Sequence, residues 1–133
     1  MDERALISEA LKAREKAYVP YSNFKVGAAL LHESGDIIHG CNVENASYGA
    51  TNCAERTSMF RAISEGRKAG TFKSMAIVGD TEGPIAPCGI CRQVMIEICG
   101  PDMPVILGNT AGVYITTTVK ELLPGAFDQT SLK

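Results

Sequence analysis

Cys53, Cys88 and Cys91 offer metal-ligating sulfurs and Glu55 a carboxyl group, close in sequence to the starts of two helical runs. Cys88 and Cys91 stand three apart at the start of a helical run that follows Pro87, and residues three apart share a helix face. Two sulfurs placed so can each ligate one ion at roughly 2.3 Å. By itself the Cys-x-x-Cys spacing leaves a redox dithiol or half of a structural zinc site open. Cys53 opens a second helical run, and a third thiolate from there leaves a zinc ion one position free for water. An open site of that kind needs a group that moves protons, and Glu55 lies two residues beyond Cys53. Residues two apart on an ideal helix diverge by about 200°, so Cys53 must sit at the cap or first turn for both groups to reach one cavity.

Three thiolates around Zn²⁺ leave a net negative charge, which weakens the ion as a Lewis acid unless the sulfurs are partly neutralised. Two helix N-termini each supply roughly half a positive charge. Arg56, directly after Glu55, can donate hydrogen bonds to the sulfurs, holding the thiolates and tuning the water. Arg92 and Gln93 are further candidates for that duty.

The elements that must position these residues are legible from periodicity. Apolar positions at helical spacing predict an amphipathic helix over Asp2–Tyr18, ended by Pro20. Lys25–Leu31 and Ile37–Cys41 read as two strands joined by a polar, Gly-containing turn. Asn42–Asn52 is a polar loop ending in capping residues, and a helix over Cys53–Glu65 follows. Ser74–Gly79 is a strand-length apolar run, Cys88–Ile98 a helix with Val94, Met95 and Ile98 on its apolar stripe, and Pro104–Leu107 and Val113–Thr116 are strands. Val119–Leu123 is a short helical turn stopped by Pro124 and Gly125. The order predicts one mixed sheet covered by helices, with a right-handed crossover through each central helix.

The 133 residues, 45% of them hydrophobic, suit one domain over 1–133. A net charge of −2 without runs of like sign gives no footprint for a nucleic acid. No apolar run approaches the roughly 20 residues of a membrane helix. The start carries no secretory pattern, which predicts a cytoplasmic protein and makes the Asn45-Ala46-Ser47 sequon accidental. In a reducing compartment five cysteines argue against a disulfide framework. Cys41 and Cys99 read as small buried apolar residues, and neither His32 nor His39 as a metal ligand.

Cys53-Ala54-Glu55 followed by Pro87-Cys88-Gly89-Ile90-Cys91 matches the zinc deaminase signature of a ligand, any residue and Glu, then Pro-Cys-x-x-Cys. With Tyr18-Val19-Pro20-Tyr21-Ser22, Phe24 to Leu31, Gly40 to Gly49, Arg92-Gln93 and Leu122 to Phe127, the chain resembles the small, homotetrameric cytidine deaminases over nearly its whole length. The resemblance implies a three-layer α/β/α sandwich with a five-stranded mixed sheet. It carries one zinc per chain to Cys53, Cys88 and Cys91, and proton shuttling to Glu55. It further implies that Phe24 lines the nucleoside site, that Asn42 and Glu44 bind the ribose 3′ hydroxyl, and that the Ala54 amide with Glu55 reads the pyrimidine edge. Tyr48 and Phe127 would reach a neighbouring subunit's pocket in a homotetramer with shared active sites.

The implied reaction, a step of pyrimidine salvage, converts cytidine and 2′-deoxycytidine to uridine and 2′-deoxyuridine with release of ammonia. Glu55 takes a proton from water at zinc, the resulting hydroxide attacks C4, and Glu55 delivers protons to N3 and the departing amine. The alternatives are a deaminase of another cytosine compound, such as a nucleoside antibiotic or a nucleic-acid cytosine, and a non-enzymatic structural zinc module. The last would need a fourth protein ligand.

Overall fold

Successive residues of the central strands enter two different apolar clusters, one on each face of a single sheet. In the computed structural model, which describes residues 1–132, Ala28, Leu30, Met75, Ile77, Val105 and Leu107 belong to one cluster. Ala29, Leu31, Ala76, Val78 and Ile106 belong to the other. This period of two is the strand signature, and burial on both faces explains why these runs are almost continuously apolar.

The strands are β1 (Val26–His32), β2 (Ile37–Cys41), β3 (Phe72–Gly79), β4 (Pro104–Asn109) and β5 (Tyr114–Thr118), in spatial order β2-β1-β3-β4-β5. β3 and β4 pair in parallel and the other neighbours are antiparallel, so the five-stranded sheet is mixed. Helix α1 (Glu3–Arg14) covers one face through Leu6, Ile7 and Ala10. Helices α2 (Ala54–Ser64) and α3 (Gly89–Ile98) cover the other through Met59, Ala62, Cys91 and Met95, and α4 (Val119–Leu122) adds Val119. This is the expected α/β/α layering. α2 connects β2 to β3 and α3 connects β3 to β4.

Glycine lets both helix layers lie close. A Cβ on Gly27 would come within 2.0 Å of the Ala10 carbonyl oxygen of α1, and one on Gly40 within 2.3 Å of the Ala54 carbonyl oxygen of α2. Neither contact admits a methyl group.

Two expectations need correction. α1 stops at Arg14 rather than running to Tyr18, because the chain tightens into a turn (Ala17 N–H to Arg14 O, 3.1 Å) and Tyr18 N–H is taken by the Asn42 carbonyl at 3.0 Å. Cys41 is half-buried at the end of the edge strand β2, whereas Cys99 is buried as expected.

Candidate active site

Both sulfur-bearing helices begin at a cysteine. Cys53 is the N-cap of α2 and Cys88 the N-cap of α3, each in extended backbone and neither using its side chain to cap. Asn52, expected as a cap, instead donates to Thr57 Oγ1 at 3.0 Å. With the cap position given to cysteine, Glu55 falls in the first turn of α2 and Cys91 in the first turn of α3. The chain thus meets the condition that spacing imposed on Cys53 and Glu55.

The sulfurs of Cys53, Cys88 and Cys91 lie within 4.8 Å of one another, with 3.7 Å between those of Cys53 and Cys88. Tetrahedral coordination with Zn–S bonds of roughly 2.3 Å places sulfurs about 3.8 Å apart, so the donor set fits zinc. Among the described residues no fourth His, Cys, Asp or Glu joins the cluster. Arg56 Nη2 donates to Cys53 Sγ at 3.2 Å, as the charge argument required. Its Nε is buried without a partner. The hydrogen bond from the Cys91 thiol, reinforced by Arg56, pulls the Cys53 thiol down to about 5 despite burial. That same bond to Cys53, together with burial, pushes Cys91 up.

Glu55 is 4% exposed, and burial raises its carboxyl to about 7. A carboxyl poised near neutrality both takes and gives protons readily. Beside it lies a cavity of about 210 Å³, whose walls include Phe24, Asn42, Cys53, Ala54, Glu55 and Cys88. A larger open cleft of about 430 Å³ sits at the other end of the sheet, against Met1–Glu3, Lys73 and Pro104, but holds no metal-ligating cluster. The chemistry selects the smaller cavity.

Three of the expected substrate-binding residues do not line that cavity. Glu44 accepts from the Tyr21 and Ser22 amides at 3.0 and 3.1 Å and from the Ser22 hydroxyl, which draws its carboxyl below the ordinary range. Tyr48 is 76% exposed, with its ring edge-to-face with Tyr21, and Phe127 is 62% exposed, its carbonyl accepting from Gln93 Nε2 at 2.7 Å. Asn42 does line the cavity while tying β1 down: Oδ1 accepts from Val26 N–H at 2.9 Å and Nδ2 donates to Phe24 O at 2.8 Å. One donor and one lone pair of the amide remain. Arg92 holds the cysteine-bearing turn rather than the sulfurs, donating to Pro87 O at 2.9 Å and Leu122 O at 2.8 Å. Val26, Thr51, Ile85 and Ala86 also line the cavity; no local signal marks them in the sequence.

Comparison with known proteins agrees with this geometry. Residues 1–107 match the family model described as the cytidine and deoxycytidylate deaminase zinc-binding region. The chain is 58% identical over 132 residues to cytidine deaminase from Sporosarcina psychrophila, an alignment covering 99% of this chain and 96% of that protein. It is 59% identical over 127 residues to the enzyme of the same name from Halalkalibacterium halodurans, covering 96% and 95%. The crystal structure of cytidine deaminase from Burkholderia pseudomallei superposes with a TM-score of 0.94 at 58% identity, covering 96% of this chain and all of that one. With the family model spanning most of its length and relatives this similar, the chain belongs to the zinc-binding cytidine and deoxycytidylate deaminase family.

Proposed function

We propose that this protein hydrolytically deaminates cytidine and 2′-deoxycytidine to uridine and 2′-deoxyuridine, releasing ammonia. The observation that carries the reading is the buried Glu55 carboxyl beside three convergent sulfurs in a cavity with an aromatic wall. Cys53, Cys88 and Cys91 would hold one zinc ion per chain. When bound, that ion supplies Lewis acidity and lowers the pKa of water toward neutrality. Glu55 accepts a proton of the attacking water and passes it to N3 of the base. It then takes the proton of the hydroxyl formed on C4 and delivers it to the departing amine, leaving the C4 carbonyl of the product. Arg56 holds the Cys53 thiolate. Phe24 offers a flat apolar face to the base, and the Ala54 N–H, beside Glu55, can donate a hydrogen bond to the pyrimidine edge. Asn42 keeps free capacity for a ribose hydroxyl. Glu44, outside the cavity lining and held by Tyr21 and Ser22, shapes the loop and would reach the sugar only through its remaining lone-pair capacity.

A homotetramer with shared sites follows from the same reading. The cavity is smaller than the roughly 300–1,000 Å³ usual for ligand sites, and the exposed rings of Tyr48 and Phe127 are the aromatic surface with which neighbouring copies would close one another's cavities. Five cysteines with no disulfide among them suit a reducing compartment, which supports a cytoplasmic location. No helix of the described residues is long and apolar enough to cross a membrane.

Loss of ultraviolet absorbance followed side by side with cytidine, deoxycytidine, cytosine and single-stranded DNA tests the substrate class. Turnover of the two nucleosides is expected. Turnover of DNA or of the free base alone would refute the assignment, and a fully active monomer on sizing would refute the shared site.

A further inference from the structure

Asn109 closes β4, is 1% exposed, and does not touch the cavity. Its neighbour across the parallel pair is Gly79, the last residue of β3. From Gly79 the segment 80–88 crosses to α3 and carries Ile85 and Cys88 to the cavity wall. The Asn109 amide lies at the root of that segment. Its Nδ2 donates to the carbonyls of Thr81 and Glu82, both at 3.0 Å, and its Oδ1 accepts from the amides of Ala111 and Val113, both at 3.0 Å. A carboxamide has two donors and two lone pairs, so every capacity is used. One half fastens the turn after β4, and the other half fastens the segment entering the site.

Further along, the segment reaches the cavity directly. Ile85 N–H donates to Gly108 O at 3.1 Å, fixing the next point of the crossing to β4. The Ile85 side chain then fills the space above Gly79, where an added Cβ would meet Ile85 Cδ1 at 2.7 Å and Phe24 Cζ at 3.2 Å. Phe24 and Ile85 therefore both lie over Gly79, and both belong to the apolar wall of the cavity. Among the described residues no other side-chain amide donates into the segment.

We propose that Asn109 is a positioning residue for the deamination: its amide sets the height of segment 80–88 and so where Ile85 closes the wall against Phe24. This rests on the reading of the cavity as a nucleoside site. A wall that contacts the base contributes equally before and at the transition state, so its displacement raises KM and leaves kcat nearly unchanged.

The test is a double-mutant cycle on zinc-loaded protein with cytidine as substrate, using Asn109→Asp and Ile85→Ala. Asn109→Asp keeps the shape and both acceptor contacts but turns an oxygen toward the Thr81 and Glu82 carbonyls. Expected are a KM raised by about tenfold or more, kcat within about threefold, and zinc content at one per chain. In the Ile85→Ala background Asn109→Asp should change KM by less than about threefold, because the wall it sets is already gone. An unchanged KM, or effects that multiply in the double variant, overturns the proposal. Should Asn109→Asp fail to fold, Asn109→Ser is expected to raise KM in the same direction, and collapse of both variants makes Asn109 a folding residue only and also overturns it. If wild-type protein does not turn over cytidine, the cavity reading fails instead.

Discussion

Gly40 never faces the cavity, yet replacing it with alanine should disable the site. It lies in β2 under the first turn of α2, where an added Cβ would stand 2.3 Å from the Ala54 carbonyl oxygen and 2.5 Å from the Ser58 nitrogen. Ordinary contact begins at 3.4 Å, so the helix must lift by about 1.1 Å, and both clashing atoms are backbone. Ala54 is one residue from Glu55 and one from Cys53. A misplacement of about 1 Å at a reacting group costs on the order of a hundredfold in rate. Gly40→Ala should therefore lower kcat/KM for cytidine by about a hundredfold, alongside an overpacking cost of about 1–3 kcal/mol read from urea unfolding.

Gly27→Ala is the control that separates positioning from stability. It makes an equally severe clash, 2.0 Å from the Ala10 carbonyl oxygen, but lifts α1, which carries no site residue. It should lose stability without a comparable loss of turnover per folded chain. Gly83→Ala, where a Cβ meets nothing within 4 Å, should be close to wild type in both. A Gly40→Ala enzyme within about threefold of wild type, or a Gly27→Ala enzyme equally impaired per folded chain, would refute the reasoning.

The charges at the site lead to two more outcomes. In metal-free protein burial raises the Glu55 carboxyl from the ordinary 4.5 to about 7, so between those pH values the native chain keeps a proton that the unfolded chain has lost. The Glu55 share of stability then falls as pH rises through that window and levels off above it, by about 1.4 kcal/mol per pH unit and on the order of 3 kcal/mol in all. Cys53, drawn down to about 5, acts in the opposite sense, so the Glu55 share is read as the difference between wild type and Glu55→Gln. Metal-free Glu55→Gln should lack this slope and exceed wild type in urea unfolding at pH 8, and identical pH profiles would rule the account out. Arg56→Gln removes the charged donor at 3.2 Å from Cys53 Sγ and should lower zinc affinity or turnover by about 10–100-fold, measured by competition with a chelator and by the absorbance assay.

The metal cluster was legible in sequence because its spacing is local. Pro87 and the capping geometry of Cys88 place two sulfurs on one turn, and the two-residue step from Cys53 to Glu55 works only at a helix start, where the structure has it. The apolar strands were legible for the same reason, since period-two burial is written along each run. What local reasoning missed depends on residues brought together from far apart in the chain. Ile85 becomes a wall only because β3 ends at a glycine, and Asn109 becomes a clamp only because β3 and β4 end side by side. Glu44 carries a charge that suits a sugar hydroxyl, yet its carboxylate is engaged 22 and 23 residues back, at Ser22 and Tyr21. The overlong first helix was a failure of the same kind, because the Asn42 carbonyl that captures Tyr18 lies on another loop.

Glu55 moves the protons of the proposed reaction within an otherwise intact zinc site. Turnover of cytidine by folded Glu55→Gln protein, with zinc verified at one ion per chain by elemental analysis, tests it most directly. General acid and base catalysis contributes roughly 10²–10⁴-fold, so kcat should fall by at least that much while zinc and the fold are retained. Turnover near the wild-type rate in that protein would contradict the account.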